Sequence, residues 1–291
     1  MSTFILLLIT GLGLGALYFL VASGLSLIYG LMGVLNFAHG SFLTLAAFAG
    51  FEVGRRVGIS TWGGLFASLA VGAIVGAVFA ALTELLLIRP LYKRHIEQVL
   101  VTVGLSLATV ALFEGIWGPD PIYMEASGWM RQTTTILGAP IPNDRFVSIL
   151  AALLVLGGLV LFLNKTRYGL IIRAGVENRA MVTALGIDVR KAFTIVFTIG
   201  GVAAGIGGVL ASHYYGYVSP LLGGTLLIFA FIVTVIGGMG SLTGAAIASV
   251  LVALLQQFAN FYLGVGDLIV VLLLAVVLLL RPQGLLGKAA A

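Results

Sequence analysis

Apolar runs of bilayer-crossing length alternate with short polar connections along this chain. At about 1.5 Å rise per residue, roughly twenty apolar residues cross about 30 Å of hydrocarbon. Such runs fall near 4–29, 36–54, 62–88, 98–117, 146–163, 193–212, 220–237, 243–262 and 266–280. All seven prolines lie at run borders, where a missing N–H costs least. The pattern predicts an all-α fold, a polytopic transmembrane helical bundle of about eight or nine spans. With few long loops, residues 1–291 read as a single membrane domain without a soluble appendage.

The connections set the expected sidedness. Between Lys165 and Lys191 lie Lys165, Arg167, Arg173, Arg179, Arg190 and Lys191, against Glu177 and Asp188. Arg89, Lys93 and Arg94 make a second basic loop, and a tail begins at Arg281-Pro282. The positive-inside rule puts these on the cytoplasmic side. Residues 118–145 balance Asp120, Glu125 and Asp144 against Arg131 and Arg145 and belong outside. Counting back then puts the N-terminus outside, and Arg55–Arg56 outside with it, against the rule. The first run lacks a basic n-region and a cleavage site, so it does not read as a signal peptide.

Inside the larger basic connection, Val176, Ala180, Met181, Ala184 and Leu185 recur at helical spacing. They predict a short amphipathic helix over 177–185. Gly186 is placed to turn left-handed behind it, with Ile187 as the apolar contact of a Schellman stop. So short a helix needs a cover for its apolar stripe. Lipid or the base of the bundle is one candidate, and a groove on a cytoplasmic partner is the other.

Composition sharpens this picture. Hydrophobic residues make up 60% of the chain and charged ones 9%, which excludes a soluble domain. Small-xxx-small pairs at Gly11/Gly15, Gly72/Gly76, Gly201/Gly205 and Gly240/Gly244 suit close helix approach. No cysteine is present, so disulfides and thiol catalysis are excluded. The formal +5 charge sits in the connections and reads as topology, not as nucleic-acid affinity. No phosphate-cradling G-x-x-x-x-G-K-[ST] loop occurs, no metal-ligand spacing appears, and His39, His95 and His213 are scattered. Catalytic and metal-ligating residues are therefore expected to be absent.

Several polar residues interrupt the apolar runs. Asn36-Phe37-Ala38-His39-Gly40 sits among helix-weakening glycines, and reads either as a hydrogen-bonded loop or as a broken helix on a translocation path. Glu84 stands about a turn from Arg89 and suggests a structural ion pair, whereas Glu114 reads as a gate or a solvated acid. Gln256, Gln257 and Asn260 read as glue between helices, with a pore lining as the alternative. His213, Tyr214, Tyr215 and Tyr217 suggest an interfacial aromatic belt. GLMGVLNFAHG and VIGGMGSLTGA are faintly alike, a hint of a two-half design.

GLSLIYGLMGVLNFAHGSFLTLAAF, with Asn-Phe-Ala-His-Gly intact, resembles the N-terminal signature of the permease subunits of branched-chain amino-acid ABC importers, the LivH-like family. RAGVENRAMVTALGI resembles that family's coupling helix, and VIGGMGSLTGA and RPQGLLG are similar to its C-terminal stretches. Family members carry an acid directly after the signature glycine; here it is Ser41. The resemblance implies an importer of leucine, isoleucine and valine working by alternating access in the bacterial plasma (inner) membrane, with the C-terminus cytoplasmic. It implies a paralogous LivM-like permease as partner in a heterodimer, two ABC ATPase subunits that use ATP and magnesium, and an extracytoplasmic substrate-binding protein. This chain would bind no cofactor and no nucleic acid. Asn36, His39, Gly40 and Ser41 are expected on the substrate path, and Glu177, Asn178, Arg179, Met181, Leu185 and Gly186 at the ATPase. Relatives carrying urea, short amides or other amino acids leave the substrate open. A stand-alone secondary transporter or channel is the alternative class, with Glu84 and Glu114 as its carboxylates.

Overall fold

Gly33, Gly216 and Gly264 each end a helix with positive φ, and Thr61, Thr166, Asp188 and Ser241 each start one by accepting from a backbone amide. A computed structural model describes residues 2–33, 35–58, 61–92, 94–124, 128–130 and 132–287. Lys93, Glu125 and Arg131 lie outside the described residues, as do the side chains of Arg179 and Ala180. The helices are α1 (Ser2–Met32), α2 (His39–Val57), α3 (Trp62–Thr83), α4 (His95–Trp117), α5 (Asp144–Lys165), α6 (Arg167–Ala184), α7 (Val189–Tyr215), α8 (Leu222–Gly237), α9 (Leu242–Leu263) and α10 (Gly266–Leu280). Apart from α6, each corresponds to one apolar run. Six segments are long and apolar enough to cross a membrane, and α8 and α10 are shorter apolar helices. The protein is a helical membrane bundle.

Two stretches differ from the sequence expectation. The run near 62–88 is not one uniform helix: α3 passes into a π-helical turn, Glu84–Ile88, and a 3-10 turn, Arg89–Leu91. Pro90 is the cause, since its ring excludes the carbonyl four residues back and it donates no N–H. Residues 118–145 are more than a loop. There β1 (Ile122–Tyr123) pairs antiparallel with β4 (Tyr217–Val218), and β2 (Thr133–Ile136) with β3 (Ala139–Pro142). Leu137 and Gly138 join β2 to β3 with φ of 50° and 81°, the geometry of a two-residue hairpin turn.

This hairpin marks one end of the bundle, because β3 lies against α1 and Gly138 approaches Ser2. The connections rich in arginine and lysine mark the other, basic end. There Gly30 of α1 meets Gly240, and Leu31 packs on Gly175 of α6. The tail folds back at the same end, with the Leu285 and Leu286 amides donating to the Ile236 and Gly237 carbonyls. Trp62 packs at a tilt against Trp129, so Arg55 and Arg56 lie at the hairpin end; Glu52 partly offsets them by pairing with Arg55 at 3.2 Å.

The helices form two halves of opposite direction. α1 runs from the hairpin end to the basic end, and α7 runs the reverse way. α1 packs on α8 and α9 as α7 packs on α2 and α3; α2 contacts α4 as α8 contacts α10; and α1–α7 and α2–α8 join the halves. Both α1 and α7 end in a left-handed glycine, Gly33 (φ 69°) and Gly216 (φ 75°). Both α3 and α9 start on a hydroxyl cap, with Thr61 accepting from the Gly64 amide and Ser241 from the Gly244 amide. Inverted repeats of this kind are a transporter architecture. The two-half hint was right in kind but paired the wrong stretches: the α1–α2 junction corresponds to the α7–α8 junction, and VIGGMGSLTGA to the α2–α3 turn.

In lipid no hydrophobic force drives helix against helix, so close van der Waals contact must hold them. Gly72 and Gly76 of α3 lie directly on Gly205 and Gly201 of α7, and Gly15 of α1 lies on Ser249 and Val250 of α9. Tyr18, Phe42, Phe48, Phe193 and Phe197 fill the centre. α4, α5 and α10 turn leucines such as Leu107, Leu154 and Leu279 outward.

Candidate functional site

The break between α1 and α2 is built from its own backbone outward. The Gly33 amide donates to the Tyr29 carbonyl and ends α1. Asn36 then folds the chain: its Oδ1 accepts from the Ala38 amide at 3.1 Å, and its carbonyl from the His39 amide at 3.2 Å. His39, the first residue of α2, donates Nε2–H to the Val21 carbonyl at 3.1 Å. Val21 lies eleven residues back from Met32, so α2 starts about 16 Å inside the bundle from the end of α1. Asn36 and His39 are buried, and Asn36 Nδ2 and His39 Nδ1 have no partner among the described residues.

α8 starts at the same depth. The Gly40 carbonyl lies against Gly223, and the Gly223 amide donates to Thr44 Oγ1 at 3.0 Å. The N-termini of two interrupted helices thus meet inside the protein. α4 holds the break from the other side. Thr102 Oγ1 accepts from the Phe37 amide at 3.3 Å, and Thr109 Oγ1 lies 2.6 Å from Ser41 Oγ. All four residues expected on the path therefore gather at one junction, packed within the chain. The threonines Thr44, Thr102 and Thr109 were not singled out in the sequence. The seven-residue spacing of Thr102 and Thr109 on one face of α4 was the available signal.

The other embedded polar residues take the structural readings. Glu84 has no exposed surface, and Arg89 donates to its two oxygens at 3.3 Å each. Tyr92 donates to Oε1, and Thr194 Oγ1 donates to Oε2 at 2.7 Å. Burial, and then the neighbouring Glu84 carboxylate, push the Tyr92 hydroxyl up, keeping it a donor. Glu114 is exposed. Gln256 accepts from Tyr18 at 2.6 Å and donates to Asp267 at 2.7 Å, and Gln257 donates to Thr10 at 3.2 Å. They join helices.

The tyrosines near 214 form more than a belt. Tyr214, Tyr215 and Tyr217 contact one another, and Arg145 lies over the Tyr214 ring at 3.2 Å while paired with Asp144 at 2.7 Å. Among the described residues no cluster of three or more His, Cys, Asp or Glu suits a metal.

At the basic end, α6 is interrupted at Asn178, whose backbone is extended (φ −155°, ψ 91°). The expected helix over 177–185 is therefore corrected at its start. Asn178 is its cap, with Oδ1 accepting from the Met181 amide at 2.9 Å. Its stop is the expected Schellman motif: the Gly186 amide donates to the Thr183 carbonyl at 3.0 Å, and the Ile187 amide to the Val182 carbonyl at 3.4 Å. Gly186 has φ of 77°. Val182 faces the bundle at 2% exposure, whereas Met181 and Leu185 stand out at 55% and 70%. Glu177 and Val176 border a cavity of about 470 Å³ between the part of α6 that precedes Asn178, α1 and the α8–α9 turn.

Inverted halves, interrupted helices that meet inside the bundle, and an exposed apolar helix at one end define the class: a membrane transport protein. The chain belongs to the family described as "Branched-chain amino acid transport system / permease component", whose model it matches over residues 7–280. It is 29% identical over 288 residues to the Escherichia coli (strain K12) high-affinity branched-chain amino acid transport system permease protein LivH, covering 96% of this chain and 94% of that one. It is 28% identical over 291 residues to BraD of Pseudomonas aeruginosa, a protein with the same description, covering 97% and 95%. The fructose import permease protein FruF of Bifidobacterium longum is 27% identical over 263 residues, covering 86% and 69%. No solved structure matches. These relatives are transport components and not enzymes; this chain is likewise a multi-pass membrane permease component.

Proposed function

We propose that this chain is the permease subunit of an ATP-driven importer of leucine, isoleucine and valine in the plasma (inner) membrane. The observation that carries the reading is the short helix after Asn178: capped at one end, stopped at the other, and presenting Met181 and Leu185 outward at the basic end. A helix fixed so firmly with its apolar residues uncovered suits a groove on a partner. Two ATPase subunits hydrolysing magnesium-bound ATP are the partners assigned there, with Glu177, Asn178, Arg179, Met181, Leu185 and Gly186 as the coupling set. A LivM-like paralogue completes the membrane unit, and a substrate-binding protein delivers solute at the hairpin end. The basic end and the C-terminus are then cytoplasmic. Asn36, His39, Gly40 and Ser41 lie at the junction of the inverted halves, the place that rocking opens to one side and then the other.

A carrier driven by an ion gradient is less well supported. Glu84 is consumed by Arg89, Tyr92 and Thr194, and Glu114 is exposed. The kinship with LivH and BraD favours branched-chain amino acids, and the kinship with FruF makes a sugar the competing cargo. The test is uptake of labelled leucine by cells with and without the gene, under ATP depletion and under an uncoupler. ATP-dependent uptake that disappears with the gene is expected. Uptake that follows the proton gradient would sink the importer class. Uptake unchanged by deletion would remove leucine as cargo and turn the same assay to urea, amides and fructose.

A further inference from the structure

Thr194 Oγ1, in the second turn of α7, donates to Glu84 Oε2 at 2.7 Å and accepts from Arg89 Nη2 at 2.8 Å. Glu84 begins the π-helical turn at the end of α3. One hydroxyl thus ties the first turns of α7 to the only π-helical segment among the described residues. Tyr92 strengthens the tie from below, since its hydroxyl also reaches Glu84 and its ring meets Phe193 edge-on at 4.8 Å.

The path from the exposed helix to this knot is short. Leu185 is followed by the Schellman turn, and Asp188 then caps α7 by accepting from the Arg190 amide at 3.0 Å. From Val189 the chain is continuous helix through Thr194. On its far side the knot meets α4 mainly through Gln98, whose Nε2 donates to the Leu91 carbonyl at 2.6 Å. Leu87 and Leu91 border an open, mainly apolar cleft of about 630 Å³, flanked opposite by Glu97, Leu100, Gly104, Leu105 and Ala108 of α4. A π turn holds one residue more than an α turn and can pass that excess along the helix, so it yields where regular α-helix would resist.

We infer that Glu84 and Thr194 form the joint through which displacement of the exposed helix reaches α3: α7 moves with the helix, and Thr194 draws the π turn into or out of the cleft. Glu84 is then a positioning residue of the transport cycle and no ion site. This rests on the importer reading above. A purely structural knot would also look buried and bonded, so the discriminating quantity is the ATP hydrolysed per solute carried, which stability alone does not change.

The experiment uses the whole transporter, purified from its native membrane with its co-purifying subunits and reconstituted in vesicles with external leucine and its binding protein. Thr194→Val removes the tie and keeps the Glu84–Arg89 pair, and Glu84→Gln weakens the knot as a second variant. Thr198→Val, one turn on, whose hydroxyl donates to the Thr194 carbonyl at 2.7 Å, is the control for helix effects. With coupling energies in the usual range, Thr194→Val is expected to keep ATP hydrolysis within about two-fold and lose uptake by about ten-fold or more per assembled complex. ATP per solute then rises by about five-fold or more, and Thr198→Val leaves it unchanged. A ratio equal to that of the unmodified protein, or an equal change in Thr198→Val, overturns the joint. Should the unmodified transporter carry solute without ATP, the importer reading itself falls, and the joint with it.

Discussion

Gly40 and Gly223 touch backbone to backbone, the carbonyl of the first lying where a Cβ on the second would stand. They belong to α2 and α8, corresponding helices of the two halves, and each sits at the start of its helix. The contact is therefore the point at which the inverted halves cross. Thr44 seals it, donating to the Gly40 carbonyl at 3.2 Å while accepting from the Gly223 amide at 3.0 Å.

Gly223→Ala is accordingly expected to destabilise the protein by about 3 kcal/mol, because backbone and not a flexible side chain must give way. Gly224→Ala is the control: nothing lies within 4 Å of the added carbon, and its effect should stay within about 0.5 kcal/mol. Thermal unfolding of the two variants in detergent measures the difference. Equal melting temperatures would show that the crossing tolerates separation.

Much of this fold could be read before any coordinates. Nine apolar runs became nine helices, since about twenty apolar residues have few alternatives in lipid. Gly186 stopped its helix as its sequence context requires, and Glu84 and Gln256 took the structural readings. The start of that helix was missed because the apolar stripe runs unbroken through Val176, and period alone does not reveal that Asn178 caps instead of continuing. The correspondence of the halves was also hidden. Its signals are single residues, Gly33 with Gly216 and Thr61 with Ser241, and the stretches that look most alike are not equivalent. Least legible was the junction around Asn36. Thr102 and Thr109 resemble any threonine in a membrane helix until α4 is seen against α2.

The Schellman stop gives a second expectation. With φ of 77° at Gly186, alanine there should cost about 1 kcal/mol, and asparagine less. Amide hydrogen exchange over 179–184 should quicken in Gly186→Ala more than in Gly186→Asn. Unchanged protection in both would mean that tertiary contacts, not the stop, hold this segment.

Tyr18 and Gln256 allow the glue reading to be measured. Their bond is 2.6 Å long and buried, with Tyr18 stacked on Phe229 at 5.1 Å between ring centres. Hydrogen bonds between membrane helices contribute about 0.6 kcal/mol on average and about 1.7 at most. Tyr18→Phe keeps the stacking and removes the bond, so a loss within that range is expected. A double-mutant cycle with Gln256→Leu should return a coupling energy of the same size. Leucine uptake per folded molecule should be little changed, whereas its abolition by Tyr18→Phe alone would favour the pore-lining reading.

Leu185 and Val182 separate folding from coupling within a single turn. Val182 is 2% exposed and packs on the bundle, whereas Leu185 is 70% exposed. Glutamate at 182 buries an unpaired carboxylate, and a loss of about 3 kcal/mol or more is expected, with little folded protein recovered. Glutamate at 185 stays largely exposed, so the stability of the purified permease should change by about 0.5 kcal/mol or less. On the proposed importer reading the same charge would face an apolar groove of the ATPase that cannot solvate it. Leu185→Glu should therefore lose both co-purifying ATPase and ATP-dependent uptake while the permease stays folded in the membrane. Retention of ATPase together with full uptake would place the partner contact elsewhere and return this helix to the bilayer surface.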